Sequence, residues 1–95
     1  MNNTIYKYPL DVTDKTQLDL PINAEILCVQ VQRNVPCLWA LVNTNERILE
    51  TVTIETFGSG HPYTDGKRKY IGTYQLYNGE FVGHVFQRLS EPLQD

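Results

Sequence analysis

Asn78-Gly79 lies between two stretches of alternating side chains, residues 70–77 and 80–87. Asn and Gly both tolerate φ > 0, which the two central positions of a type I′ turn require, and the twist of that turn matches the twist of paired strands. The dipeptide therefore predicts a hairpin together with its register. Tyr77 falls opposite Glu80, Gln75 opposite Val82, Thr73 opposite His84 and Ile71 opposite Phe86 on one face. Leu76 with Phe81, Tyr74 with Gly83 and Gly72 with Val85 fill the other.

The same period of two runs through the rest of the chain, and no window has a helical period. Residues 5–10 alternate and meet Pro9; residues 16–20 put Leu18 and Leu20 on one side and are closed by Pro21; residues 11–15 are a polar turn. Residues 25–32 and 36–42 predict a second hairpin around Arg33-Asn34, with Gln32 opposite Val35, Cys28 opposite Trp39 and Cys37 opposite Gln30. One of its faces (Leu27, Val29, Val31, Leu38, Ala40, Val42) is wholly apolar. The other, with Cys28, Gln30, Gln32, Cys37, Trp39 and Leu41, is mixed; it suits an interface or ligand wall, and equally the outside of a sheet. Residues 49–57 read as a strand with Val52 and Ile54 inward and Thr51, Thr53 and Glu55 outward. The expected fold class is all-β: a small antiparallel sheet, sandwich or barrel-like domain of about seven short strands.

The 95 residues make a single domain, 1–95, with a frayed tail over residues 90–95. A core of this size is thin, so burial against a second copy would help. The net charge of −3 argues against a protein that coats DNA or RNA, and no apolar run approaches a membrane span. Met1-Asn2-Asn3-Thr4 lacks the charged and apolar segments of a signal peptide, so the expected location is cytoplasmic, with Cys28 and Cys37 as free thiols.

Candidate chemistry gathers between residues 57 and 70. In Phe57-Gly58-Ser59-Gly60-His61-Pro62 two glycines leave the backbone amides bare, and Pro62 holds His61 extended. Lys67-Arg68-Lys69 follow. Bare amides, an imidazole and cations are what an anionic, nucleotide-like ligand needs, with an aromatic ring to stack on its base. The alternative is an ordinary glycine loop beside a solvated charge run. Gly58, Ser59, Gly60 and His61 are the candidate ligand loop, Trp39 or Tyr70 the stacking ring, and Lys67, Arg68 or Arg33 the phosphate cations. Catalysis by His61 and His84 would require the two to converge, and the paired histidine-plus-hydroxyl motifs of a two-histidine phosphoesterase are missing. Cys28 and Cys37, with eight residues between them, do not have the short pair spacing of a zinc knuckle. No catalytic residue, metal site or cofactor is expected.

Ile5-Tyr6-Lys7-Tyr8, Pro36-Cys37-Leu38-Trp39-Ala40-Leu41-Val42, Gly58-Ser59-Gly60-His61-Pro62, Tyr70-Ile71-Gly72-Thr73 and His84-Val85-Phe86 occur in this order. Together they resemble a family of small uncharacterised-domain proteins encoded by bacteriophages. The Leu-Trp-Ala-Leu-Val and Gly-x-Gly-His-Pro blocks are the most specific parts. Ser59 replaces the threonine expected there and keeps its hydroxyl, while residues 43–50 depart from the pattern. The resemblance implies kinship with anti-defence sponges of the anti-CBASS type: homo-oligomers that sequester a cyclic di- or oligonucleotide signal in the cytoplasm of the infected bacterial host without cleaving it. A different class of function, a phage accessory domain that binds another protein through the Trp39 face, would leave the glycine loop as a plain turn.

Overall fold

The computed structural model describes residues 3–89. Its strands are β1 (Asn3–Pro9), β2 (Lys15–Pro21), β3 (Glu25–Gln32), β4 (Val35–Asn43), β5 (Leu49–Gly58), β6 (Arg68–Leu76) and β7 (Phe81–Arg88), and no helix occurs among the described residues. All pairings are antiparallel: sheet A has the order β1-β4-β3 and sheet B the order β2-β5-β7-β6. The expected all-β class is thus realised as two small sheets, and the tail after Leu89 lies outside the described residues.

Both hairpins keep the register set by their turns and then each takes one bulge. Arg33 and Asn34 both have positive φ (52° and 67°), the type I′ conformation, and pairing runs as read from Gln32 with Val35 to Cys28 with Trp39. The ladder then slips so that Ile26 opposes Ala40. A bulge reverses the alternation beyond it. Ile26, not Leu27, therefore packs on the core, and Leu27 and Val31, expected on the apolar face, are 42% and 36% exposed. In the second hairpin the pairs from Leu76 with Phe81 to Gly72 with Val85 are those read from the sequence. Tyr77, Asn78 and Gly79 all have positive φ, and overlapping bonds from Gly79 N to Leu76 O and from Glu80 N to Tyr77 O close the turn. Here the ladder slips at Ile71, and Tyr70 takes the expected place of Ile71 opposite Phe86.

The core lies between the sheets. Val29, Leu38, Ala40 and Val42 come from sheet A; Leu20, Val52, Ile54, Tyr74, Leu76 and Val85 come from sheet B. β3 passes so close to β6 that a Cβ on Gly72 would lie 2.9 Å from Val29 Cγ1. Cys37 is buried, whereas Cys28 is only half-buried. No described helix is long and apolar enough to cross a membrane.

Candidate functional site: the outer face of sheet B

The face of sheet B turned away from the core carries most of the chemistry, and the bulge at Ile71 builds it. In a regular strand residues three apart point to opposite faces. The extra residue puts Tyr70 and Thr73 on one face, with Tyr70 Oη 2.5 Å from Thr73 Oγ1. Thr73 Oγ1 lies 3.0 Å from His84 Nδ1, and His84 Nε2 lies 2.7 Å from Ser59 Oγ. Four side chains from β6, β7 and the loop after β5 thus form one hydrogen-bonded row. A neutral imidazole satisfies it in either tautomer, because each hydroxyl can donate or accept.

A serine beside an imidazole resembles a nucleophile and its base. Here, however, the third member is the neutral hydroxyl of Thr73, which orients the ring without a charge to stabilise an imidazolium. The Ser59 N–H is committed to Val82 O at 3.2 Å, so it is not free to hold an oxyanion. The row is better equipped to present donors and acceptors to a ligand than to attack one.

Beside the row lies an aromatic cluster. Phe86 is its centre, with ring centroids 5.8 Å from Phe57, 5.6 Å from Tyr63 and 5.4 Å from Tyr70. Phe57 and Tyr63 are 4.8 Å apart, and the Arg68 guanidinium sits 4.9 Å from the centre of each. Tyr63 and Tyr70 are each 55% exposed, so the cluster presents aromatic surface to solvent.

The cluster is anchored by an ion pair. Arg68 Nε donates to Glu55 Oε1 at 2.7 Å, its Nη1 to Thr64 O at 2.6 Å and its Nη2 to Thr64 Oγ1 at 3.0 Å, leaving the side chain 1% exposed. Arg88 Nη1 approaches the same carboxylate at 3.4 Å. Glu55, expected as an outward polar residue, does face away from the core, but with Arg68 and Arg88 over it only 8% stays exposed. Burial alone would raise its carboxyl, but hydrogen bonds and charge from Arg68 and then Arg88 outweigh burial and hold it below the ordinary value of 4.5.

The sequence candidates divide between regions. Ser59, Arg68 and Tyr70 meet on this face, with Arg68 spent internally. Gly58 and Gly60 shape the turn: His61 N donates to Gly58 O at 3.0 Å, and Gly60 has φ 82°. The His61 ring folds over Gly58, where a Cβ would lie 2.6 Å from Nδ1. It borders a cavity of about 400 Å³ with Asp14, Lys15 and Thr56, and a smaller one with Tyr74 and Phe81 from the core face. The two histidines therefore sit on opposite sides of the sheet and do not converge. Lys67 is exposed just before β6, and Lys69 alternates to the face opposite Tyr70. Trp39, paired with Lys7 and Cys28, and Arg33, at the tip of the β3–β4 hairpin, belong to sheet A.

Phe57, Tyr63, Thr73, His84 and Phe86 complete the site beyond the ligand-binding residues expected from sequence. The hairpin register had put Thr73 opposite His84; the approach of Ser59 comes from pairing β5 with β7, which no local pattern encodes. Among the described residues no cluster of three or more His, Cys, Asp or Glu is arranged to hold a metal. The model of one protein family, described as a domain of unknown function (DUF7352), matches residues 1–94. No curated protein and no solved structure matches the chain.

Proposed function

The chain belongs to the DUF7352 family, and we propose that this member captures a small anionic nucleotide on the outer face of sheet B and holds it without cleaving it. The observation that carries this reading is the juxtaposition of half-exposed Tyr63 and Tyr70, seated on Phe86, with the Ser59–His84–Thr73 row. Bases stack on the two tyrosines; the hydroxyl row meets sugar and phosphate oxygens; Lys67 and Arg88 supply positive charge at the margin. The resemblance to phage-encoded sponges narrows the ligand to a cyclic nucleotide signal of bacterial anti-phage defence, sequestered in the host cytoplasm.

A base–aromatic stack is worth about 1–3 kcal/mol and a charge-assisted hydrogen bond about 1.5–3 kcal/mol. Association costs about 4–15 kcal/mol, so two of each suffice for tight capture only on a preformed surface. The Glu55–Arg68 pair and the ring contacts fix such a surface before any ligand arrives.

The test is a thermal-shift screen against cyclic di- and trinucleotides and NAD-derived signals, with each hit recovered after heat release. A large upward shift with intact ligand is expected, because a ligand that binds only the folded state stabilises it. Altered ligand would turn the reading to an enzyme. No shift with any compound would turn it to the protein-binding alternative.

A further inference from the structure

The row of Tyr70, Thr73, His84 and Ser59 has a hydrogen balance that fixes what it offers a ligand. Three hydrogen bonds join three hydroxyls and one imidazole. With the ring neutral, these groups hold four polar hydrogens, and the three bonds consume all but one. When Nε2 carries the ring proton it donates to Ser59 Oγ, Thr73 donates to Nδ1 and Tyr70 donates to Thr73. The Ser59 hydrogen is then the spare. When Nδ1 carries it, Ser59 donates to Nε2 and the spare belongs to Tyr70 or Thr73 at the other end. A neutral row therefore donates outward from one end or the other, never from both. An imidazolium donates to both of its neighbours, and each end then has a hydrogen to spare. Ser59, Thr73 and Tyr70 are exposed and His84 is half-buried, so the spare hydrogens reach a ligand.

The charged ring has no built-in counter-ion. Phe57 faces it from β5, Thr73 from β6 and Ser59 from the loop, and the Tyr70 phenol stands one step further along the row. The charged groups of this face lie elsewhere: Glu55 on β5 holds Arg68 of β6 and Arg88 of β7 beside Phe86, and Glu80 is at the hairpin turn. An anion arriving on the row supplies the missing opposite charge, and opposite charge favours the protonated ring.

We propose that the row captures an anion with uptake of one proton from solvent at His84, the charged ring acting as counter-ion and freeing a donor at each end. The inference rests on the capture reading for the nucleotide and adds that the ligand's phosphodiester, which can only accept hydrogen bonds, is the part seated on the row. Capture is then stronger at lower pH, and by linkage the anion stabilises the charged form of His84.

The test follows both imidazoles by NMR on the nitrogen-15-labelled chain, with His84→Gln to assign the signals. The probe is sulfate, which stays an acceptor-only anion over the range. Titrations from about pH 5 to 8 are compared in about 50 mM sodium sulfate and in sodium chloride of equal ionic strength. Sulfate is expected to raise the His84 midpoint by at least about half a pH unit, a roughly threefold preference for the charged ring. His61, on the other side of the sheet, is the internal reference and should move less. A His84 midpoint that sulfate leaves in place, or moves no more than that of His61, overturns the proposal even if the thermal-shift screen finds a nucleotide. A raised His84 midpoint with no nucleotide found supports a proton-linked anion site and fails the nucleotide reading alone.

Discussion

The outer faces of the two sheets differ in how their side chains are used. On sheet A, Lys7, Cys28 and Trp39 lie side by side on adjacent strands, and the polar contact made there, Lys7 Nζ to Gln32 Oε1 at 2.7 Å, is on the surface. On sheet B, β5, β6, β7 and the intervening loop contribute to one network of rings, ions and hydroxyls. A single conspicuous residue, Trp39, is less informative than a set of ordinary ones whose positions constrain each other. A preformed surface lowers the ordering cost of binding, and the network on sheet B supplies one.

The strongest way to break this contrast is to remove its anchor. Glu55→Gln leaves the covered Arg68 guanidinium without its carboxylate, and removing one partner of a buried pair is among the most damaging of changes. The melting temperature is expected to fall by roughly 10 °C or more by calorimetry. The same pair predicts a pH dependence. Glu55 is held below its unfolded value, so its contribution is fully present above about pH 4.5 and is lost as pH falls through the lower, folded value. Wild-type stability should therefore drop across that acidic window, and the Glu55→Gln variant should show a smaller drop there. Equal drops in both proteins would remove the pair as the anchor.

Binding sharpens the contrast next. Tyr70→Ala deletes a stacking ring and the end of the hydroxyl row, and is expected to weaken capture of a cyclic nucleotide about tenfold or more by titration calorimetry. Trp39→Ala should leave affinity unchanged. If the two effects are reversed, the ligand sits on sheet A and the outer face of sheet B is structural.

The joint between the sheets is tested by Gly72→Ala. The new methyl would approach Val29 Cγ1 to 2.9 Å where β6 and β3 cross, so either the valine rotamer or the strand must yield. A loss of about 1–3 kcal/mol in denaturant unfolding is expected. A neutral effect would mean that the crossing is loose, and the two outer faces could then move relative to each other.

How much of this was legible beforehand follows from the range over which each feature is encoded. The two hairpins were readable because a turn dipeptide and a period of two are local. The bulges at Leu27 and Ile71 were not, because a slip of one residue is chosen by what packs across the sheet. That limit decided the site: without the Ile71 bulge Tyr70 and Thr73 point apart, so the row through His84 could not be assembled from spacing. Glu55 read as a solvated carboxylate because its partners, Arg68 and Arg88, are 13 and 33 residues away. Gly58 and Gly60 do shape a tight turn, but no local pattern tells that Ser59 and His61 leave it toward opposite sides of β5.

The smallest expected effect is at Arg33. As the first central residue of the β3–β4 turn it holds φ 52°, a left-handed conformation that costs an ordinary L-residue about 1–2 kcal/mol. Glycine adopts it freely but gives back about 0.5–1 kcal/mol as lost freedom of the unfolded chain. Arg33→Gly should therefore stabilise the protein by at most about 1 kcal/mol, a rise of a few degrees in melting temperature. The variant also removes a cation that the sequence alone would assign to phosphate. Because that cation stands at a hairpin tip of sheet A, affinity for a cyclic nucleotide should not change. A stabilised variant that binds several-fold more weakly would mean that the positive charge of the site extends across both sheets, and the division of labour between the two outer faces would fail.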